Sequence, residues 1–171
     1  MQIGIIGPES TGKSELTLAL QGHYEGIAIP EYARKYLEEK QIVNYTYADV
    51  IAISEEQKRL QEIQYDPADL VFFDTTLLVN HIWMQHAYGE APYWLLSVEL
   101  NSQFDLYLVT NIDLPWVQDP LREHPQLRAY FFDKYIHLIQ QLQRPYAVIS
   151  GVGEERVQFA IECINKLMIA S

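Results

Sequence analysis

Eight residues near the amino terminus, Gly7-Pro8-Glu9-Ser10-Thr11-Gly12-Lys13-Ser14, constrain this chain more than any others. They match the spacing G-x-x-x-x-G-K-[ST], with Gly7, Gly12, Lys13 and Ser14 at its fixed positions. The preceding run, 2–6, is short and apolar, as a strand buried in a parallel sheet is. The following run, 13–21, carries Leu16, Ala19 and Leu20 at helical spacing and is expected to stop near Gly22. A strand, a glycine turn and a helix in that order make a cradle for an anion. Glycines permit the positive φ angles that aim successive N–H groups inward, and the helix adds the positive end of its dipole. In such a loop the backbone of Glu9, Ser10 and Thr11 wraps the β-phosphate. Lys13 reaches the β- and γ-phosphates, and the Ser14 hydroxyl binds Mg²⁺. ATP and Mg²⁺ are therefore the expected ligands.

Strands and helices alternate along the rest of the chain. Short apolar runs at 26–29, 70–73, 104–109 and 146–149 read as further strands. Helices are expected at 32–40, 47–64, 75–88, 92–100, 126–141 and 154–169, with Pro92 in a first turn and Gly89 as a cap. Alternation of this kind implies a parallel sheet covered by helices on both faces, a three-layer α/β P-loop fold. No repeat or linker interrupts it, so a single domain over 1–171 is expected, with a lid segment near 114–128.

Charge narrows the partners. Twelve basic residues stand against 23 acidic ones, a formal net charge of −11, which disfavours general nucleic-acid binding. No run is long enough to span a bilayer and no signal peptide is visible, so neither a membrane partner nor export is expected. The single cysteine, Cys163, cannot form an internal bridge, which fits a reducing, cytoplasmic setting. It reads as a small packed hydrophobe. His81 and His86 are five apart, off a common helix face, and no H-E-x-x-H occurs, so no zinc site is expected. Trp83 and Trp94 read as core or rim of their helices.

Three further features bear on chemistry. Asp74 closes an apolar strand, where a P-loop fold needs an acid for Mg²⁺; it would equally cap the following helix. Glu31, in Glu31-Tyr32-Ala33-Arg34, follows the second strand, and carboxyl ends of strands face the ligand crevice of an open parallel sheet. A carboxylate there can take the proton of an attacking hydroxyl, or simply favour the helix dipole. Trp116-Val117-Gln118-Asp119-Pro120-Leu121-Arg122, with Arg128 beyond it, places two arginines, an aromatic ring and an acid in one polar loop. Such a loop reads as a lid whose arginines neutralise a transferring phosphoryl group, or as a solvated surface.

Taken together, G-x-E-S-x-G-K-S, E-Y-x-R, D-T and W-x-x-D-x-x-R resemble, in order and spacing over nearly the whole chain, the ribosylnicotinamide kinase domain of bacterial NadR proteins. The resemblance implies a five-stranded parallel sheet like that of adenylate and deoxynucleoside kinases. It also implies transfer of the ATP γ-phosphate to the 5′-hydroxyl of nicotinamide riboside, giving nicotinamide mononucleotide for NAD biosynthesis. It places Lys13 and Ser14 on the triphosphate and Mg²⁺, and makes Asp74 the metal-side acid and a candidate base. Glu31, Tyr32 and Arg34, with Trp116 and Asp119, fall on the substrate. Arg122 and Arg128 become lid arginines, and Gly151, Val152 and Gly153 flank the adenine.

The chain departs from the family pattern at Pro30, where better-known members carry a tryptophan that stacks on the nicotinamide; such a face is worth about 0.5–1.5 kcal/mol. The family's adenylyltransferase and DNA-binding domains are not seen in these 171 residues, so NAD synthesis and repression by this chain alone are not expected. Two alternatives stay open: a kinase for another nucleoside or nucleotide, and a non-catalytic ATP-binding module that partners an adenylyltransferase.

Overall fold

The computed structural model describes residues 1–42, 44–102, 104–119 and 124–170. Among them five strands, β1 (Gln2–Ile6), β2 (Ile27–Ile29), β3 (Val71–Asp74), β4 (Phe104–Thr110) and β5 (Tyr146–Ile149), form one sheet in the order β2-β3-β1-β4-β5. Every pairing is parallel. β1 lies centrally, which is why its residues from Ile3 to Ile6 are all buried. Successive side chains of a strand point to opposite faces. Ile3 and Ile5 of β1 and Leu106 and Leu108 of β4 therefore pack on one face, with Leu16, Leu20, Ile161 and Ile164. Ile6, Phe73, Tyr107 and Val109 pack on the other, with Leu78, Ile82, Phe131 and Ile139.

The helices supply those outer layers: α1 (Lys13–Tyr24), α2 (Tyr32–Glu39), α3 (Tyr47–Gln61), α4 (Leu77–Tyr88), α5 (Tyr93–Asn101), α6 (Arg128–Gln141) and α7 (Gly153–Ala170). α1 and α7 cover the first face, α4 and α6 the second. This is the expected three-layer fold. α3 begins with a reciprocal cap, in which the Thr46 hydroxyl accepts from Asp49 N and the Asp49 carboxylate accepts from Thr46 N.

Several boundaries differ from the sequence expectation. α1 runs past Gly22, whose missing side chain faces open space, and stops at Glu25, which adopts the left-handed conformation (φ 52°). α3 ends at Gln61, three residues early. α6 is preceded by a 3₁₀ turn, Pro125–Leu127. Pro92 caps α5 from outside its first turn. The correction that matters most concerns α4, which starts at Leu77. Thr76, not Asp74, is its cap: the Thr76 hydroxyl accepts from Leu78 N at 3.3 Å. Asp74 is thereby left to face the crevice as the last residue of β3.

A buried polar network holds that junction in place. Glu99, on α5, is fully buried, and its Oε1 accepts from Thr76 Oγ1 (2.9 Å) and Tyr107 Oη (2.5 Å). Gln61 donates to Glu99 Oε2 at 3.4 Å and accepts from Leu77 N at 2.9 Å, while Gln57 Nε2 donates to Thr75 O at 3.2 Å. Thr75 itself has φ +76°, a costly conformation for a β-branched residue that persists only where the surroundings enforce it.

Burial raises the Glu99 carboxyl above its ordinary value, against the pull of its three donors. The folded state therefore favours the protonated acid. That stabilisation is complete below the unfolded carboxyl pKa, roughly 4.3, and is lost as pH rises through the folded value. Glu99→Gln has no such proton. The unfolding free energy of E99Q relative to wild type is expected to shift in favour of E99Q as pH rises from about 4 to about 8. Urea titrations of both proteins across that range measure the shift; parallel curves would show that folding leaves the Glu99 pKa unchanged.

Candidate nucleotide and acceptor site

In an open parallel sheet, ligands sit outside the carboxyl ends of the strands. Here those ends, with α2, α3, α4 and α6, enclose a cavity of about 630 Å³. One end is the loop from Gly7 to Ser14. Its shape rests on close approach: a Cβ on Gly7 (φ +151°) would lie 2.1 Å from Thr110 Oγ1. The same Thr110 hydroxyl meets Thr11 Oγ1 at 2.6 Å and donates to Ile6 O at 3.2 Å. Gly12, with φ +73°, opens α1. Lys13 Nζ donates to Pro8 O at 3.0 Å, and Thr11 Oγ1 donates to the same oxygen at 2.6 Å.

β3 brings Asp74 beside this loop. Ser14 Oγ donates to Asp74 Oδ2 at 2.5 Å, while Asp74 Oδ1 is buried with no hydrogen-bond partner among the described residues. A buried carboxylate oxygen without a donor, next to a hydroxyl, suits a hard cation that takes oxygen ligands. Among the described residues no three His, Cys, Asp or Glu converge to hold a metal by themselves, so a cation here would draw further ligands from phosphate and water. Burial raises the Asp74 carboxyl, while Lys13 and the Ser14 hydrogen bond pull it down.

Glu31 follows β2 and occupies the N-cap position of α2, where its side chain makes no capping hydrogen bond. It lines the cavity, and desolvation raises its carboxyl above the usual range; Lys13 opposes that shift and Asp74 adds to it. Arg34 is one helical turn further along, with its Nη2 3.1 Å from Asp119 Oδ2 and its Nη1 3.5 Å from Glu38 Oε1. Desolvation would lower the Arg34 guanidinium, but its hydrogen bond to Asp119 and the charges of Asp119 and Glu31 keep it raised.

The segment after β4 leans on the phosphate loop. Ser10 Oγ donates to Val117 O at 3.1 Å, and Glu9 Oε2 accepts from His124 N at 3.3 Å. Arg128 Nη2 donates to Ser10 O (3.1 Å) and to Leu114 O (2.8 Å). Burial lowers its guanidinium from the usual arginine value. Arg122 lies outside the described residues. The structure thus gathers Glu9, Ser10, Thr11, Lys13, Ser14, Glu31, Arg34 and Asp119 around one space, with the buried Asp74 joined to it through Ser14 and Arg128 bonded to Ser10 and Leu114 of its lining. It does not bring Tyr32 or Trp116 into the cavity wall. Tyr32 turns into the small apolar cluster of Tyr36, Leu37 and Ile53, 6.1 Å from the Tyr36 ring. Trp116 stays half-buried between Pro115 and Val117, which do line the cavity. Gly151, Val152 and Gly153 sit apart from the cavity, on the β5 side of the loop.

The sequence reading missed the far wall. Tyr45, Val79, Asn80, Trp83, Phe131 and Tyr135 form it. Trp83 packs 5.8 Å from Phe131 and 5.2 Å from His124. Its apolar helical neighbours made it read as core; only the crossing of α4 over α6 shows which side it presents. Arg156 was missed as well, since a cation in the first turn of a helix carries no motif.

Fold and site together define a P-loop nucleotide-binding protein with the architecture of nucleoside kinases. The chain belongs to the AAA domain family, which it matches over residues 2–156. It is 26% identical over 125 residues to the trifunctional NAD biosynthesis/regulator protein NadR of Salmonella typhimurium, a match covering 70% of this chain and 30% of that protein. A NadR protein solved in complex with NR superposes with a TM-score of 0.76 at 20% identity, over 97% of this chain and 51% of that one. The deoxyadenosine kinase of M. mycoides shares the fold at a TM-score of 0.67 and 14% identity, over 97% of this chain and 100% of that one. The chain thus spans about half or less of the NadR proteins it matches.

The contact at Gly7 yields a paired test. Gly7→Ala forces its Cβ against Thr110 and is expected to weaken ATP-Mg²⁺ binding by about a hundredfold, some 2–3 kcal/mol. Gly22→Ala, in open helical surface, is expected to leave binding unchanged and to raise stability by about 0.5–1 kcal/mol. Titration calorimetry and thermal melts of both variants read the contrast.

Proposed function

We propose that the protein is an ATP-dependent nucleoside kinase whose acceptor is nicotinamide riboside. The observation that carries this reading is the shared cavity: the phosphate loop with Ser14, the carboxyl of Glu31 and a set of aromatic side chains line one space, with Asp74 bonded to Ser14. Lys13 and the loop amides hold the triphosphate. Ser14 and Asp74 hold Mg²⁺, which when bound neutralises charge on the β- and γ-phosphates.

Asp74 is committed to Ser14 and to the metal, so Glu31 is the base. Burial raises its carboxyl, so its carboxylate is a stronger proton acceptor than an exposed glutamate's. The 5′-hydroxyl oxygen bonds to the γ-phosphorus as its proton passes to Glu31. The bond from the γ-phosphorus to the β–γ bridging oxygen breaks, leaving ADP and a phosphomonoester. Segment 114–128 acts as the lid, with Arg128 fixing its hinge to the loop, and Gly151, Val152 and Gly153 flank the adenine.

The choice of acceptor is supported by charge and by rings. A nicotinamide riboside base is a pyridinium cation. Glu9, Glu31 and Asp119 line the cavity, and Trp83, Tyr45, Phe131 and Tyr135 offer π-faces, which attract cations. Trp83 on α4 supplies the aromatic face that Pro30 lacks. The likeness to a NadR protein solved with NR points the same way.

Turnover of ATP to ADP by the purified protein, measured against a panel of nucleosides, tests the reading. Stimulation by nicotinamide riboside above all others is expected. Stimulation by a different nucleoside would keep the kinase and replace the acceptor, and ATP binding without acceptor-stimulated turnover would favour a binding module. Glu31→Gln should cost about 10²–10⁴ in kcat with ATP affinity retained. Trp83→Ala should raise the acceptor KM about tenfold with the KM for ATP unmoved.

A further inference from the structure

An acceptor and the donor's leaving group must stand on opposite sides of a transferring phosphoryl group. The acceptor cavity is walled by α2, α3, α4 and α6 with part of 114–119, and Asn111, Asp113, Gly151 and Arg156 do not line it. The nucleoside of the bound triphosphate must therefore extend the other way from the phosphate loop, over β4 and β5. The carboxyl ends of those strands continue into 111–113 and into the Gly151 turn, where Gly151 (φ +95°) and Gly153 (φ +56°) shape the entry to α7.

Arg156 joins these segments. It sits in the first turn of α7, where the helix dipole disfavours a cation, and it is only 4% exposed. A buried charge in an unfavourable field persists only if it is well paired. Its Nη1 bonds Asp113 Oδ1 (2.6 Å) and Gly151 O (2.9 Å). Its Nη2 bonds Thr11 O (2.8 Å) and Asn111 O (3.4 Å). Asp113 completes the link, because its Oδ2 accepts from Gly151 N at 2.7 Å. One guanidinium thus ties the phosphate loop, the segment leaving β4 and the turn leaving β5, and a planar fork holds several acceptors at fixed relative positions.

We infer that Arg156, braced by Asp113, is a positioning residue that sets the base-end turn of the donor nucleotide in register with the phosphate loop, and so lets the protein distinguish a nucleoside triphosphate from a bare one. The inference rests on the kinase reading for the direction in which the donor lies. Desolvation works to raise the Asp113 carboxyl, but the bonds from Arg156 and Gly151 N hold it below the usual range, as expected of a pair ionised together.

Binding of ATP and of inorganic tripolyphosphate, each with Mg²⁺, separates this role from a general one. Wild type should prefer ATP. Arg156→Lys and Asp113→Asn should lose ATP affinity by about tenfold, the scale of one or two misaligned hydrogen bonds, while tripolyphosphate affinity stays within about twofold of wild type. Asp113 is partly exposed, so its variant is expected to fold even if Arg156 tolerates no change. Equal losses for both ligands would overturn the proposal by making Arg156 a support of the phosphate loop alone. Unchanged ATP affinity with a lowered melting temperature would overturn it by making the cluster structural. Wild type that failed to bind ATP would remove the nucleotide-site reading and this assignment with it.

Discussion

The hydrogen bond from Ser14 Oγ to Asp74 Oδ2 joins the first turn of α1 to the end of β3, 60 residues apart in sequence, and the rest of the site depends on it. It requires β3 beside β1, which the order β2-β3-β1-β4-β5 provides. It requires Asp74 to end its strand facing the crevice instead of capping α4, and that is achieved by turning Thr75 through a positive φ and giving the cap to Thr76. The strained turn is held from behind by Gln57 and Gln61 of α3 and by Glu99 of α5. The cost of one unfavourable backbone conformation and one buried acid is thus located where it aims a carboxylate.

What could be read in the sequence follows from how local each signal is. The phosphate loop is a contiguous pattern with strand and helix on either side, so its residues and their neighbours were legible at once. The buried strands were legible for the same reason: a short apolar run bounded by turn residues has few other fates. The helix ends were less so. Gly22 looks like a stop signal, yet nothing around it demands a glycine, and the helix continues until Glu25 takes up a left-handed turn. Asp74 and Glu31 could be listed as acids at strand ends, but the choice between cap and crevice depends on Thr76 and on where α2 begins. The far wall was illegible because Tyr45, Trp83 and Phe131 come from the α2–α3 connection, α4 and α6. Their apolar spacing reads the same whether they face a core or a ligand.

An acidic chain that takes up a polyanion needs its attraction to be local. A net charge of −11 would repel ATP at a distance, but the loop offers backbone dipoles, a helix amino terminus and Lys13 within a few ångströms. Acids line the same cavity: Glu9 lies in the loop itself, Glu31 follows β2, and Asp119 is paired with Arg34 at 3.1 Å.

The same logic reaches the backbone of the loop. In a trans peptide the carbonyl and the N–H of the next residue point in opposite directions. Pro8 O accepts from Lys13 Nζ and Thr11 Oγ1, Ser10 O from Arg128, and Thr11 O from Arg156. Cations and a hydroxyl therefore hold three carbonyls of the loop, and at Pro8 and Ser10 the opposing N–H of Glu9 or Thr11 is aimed as well. A cradle of amides competes poorly with water unless its dipoles are oriented before the anion arrives, because reorienting them on binding would consume the electrostatic gain. Arg128 opens α6 and Arg156 lies in the first turn of α7. Arg128 does not have to touch phosphate to strengthen its binding, since it acts on the carbonyl side of a peptide whose N–H side does the holding.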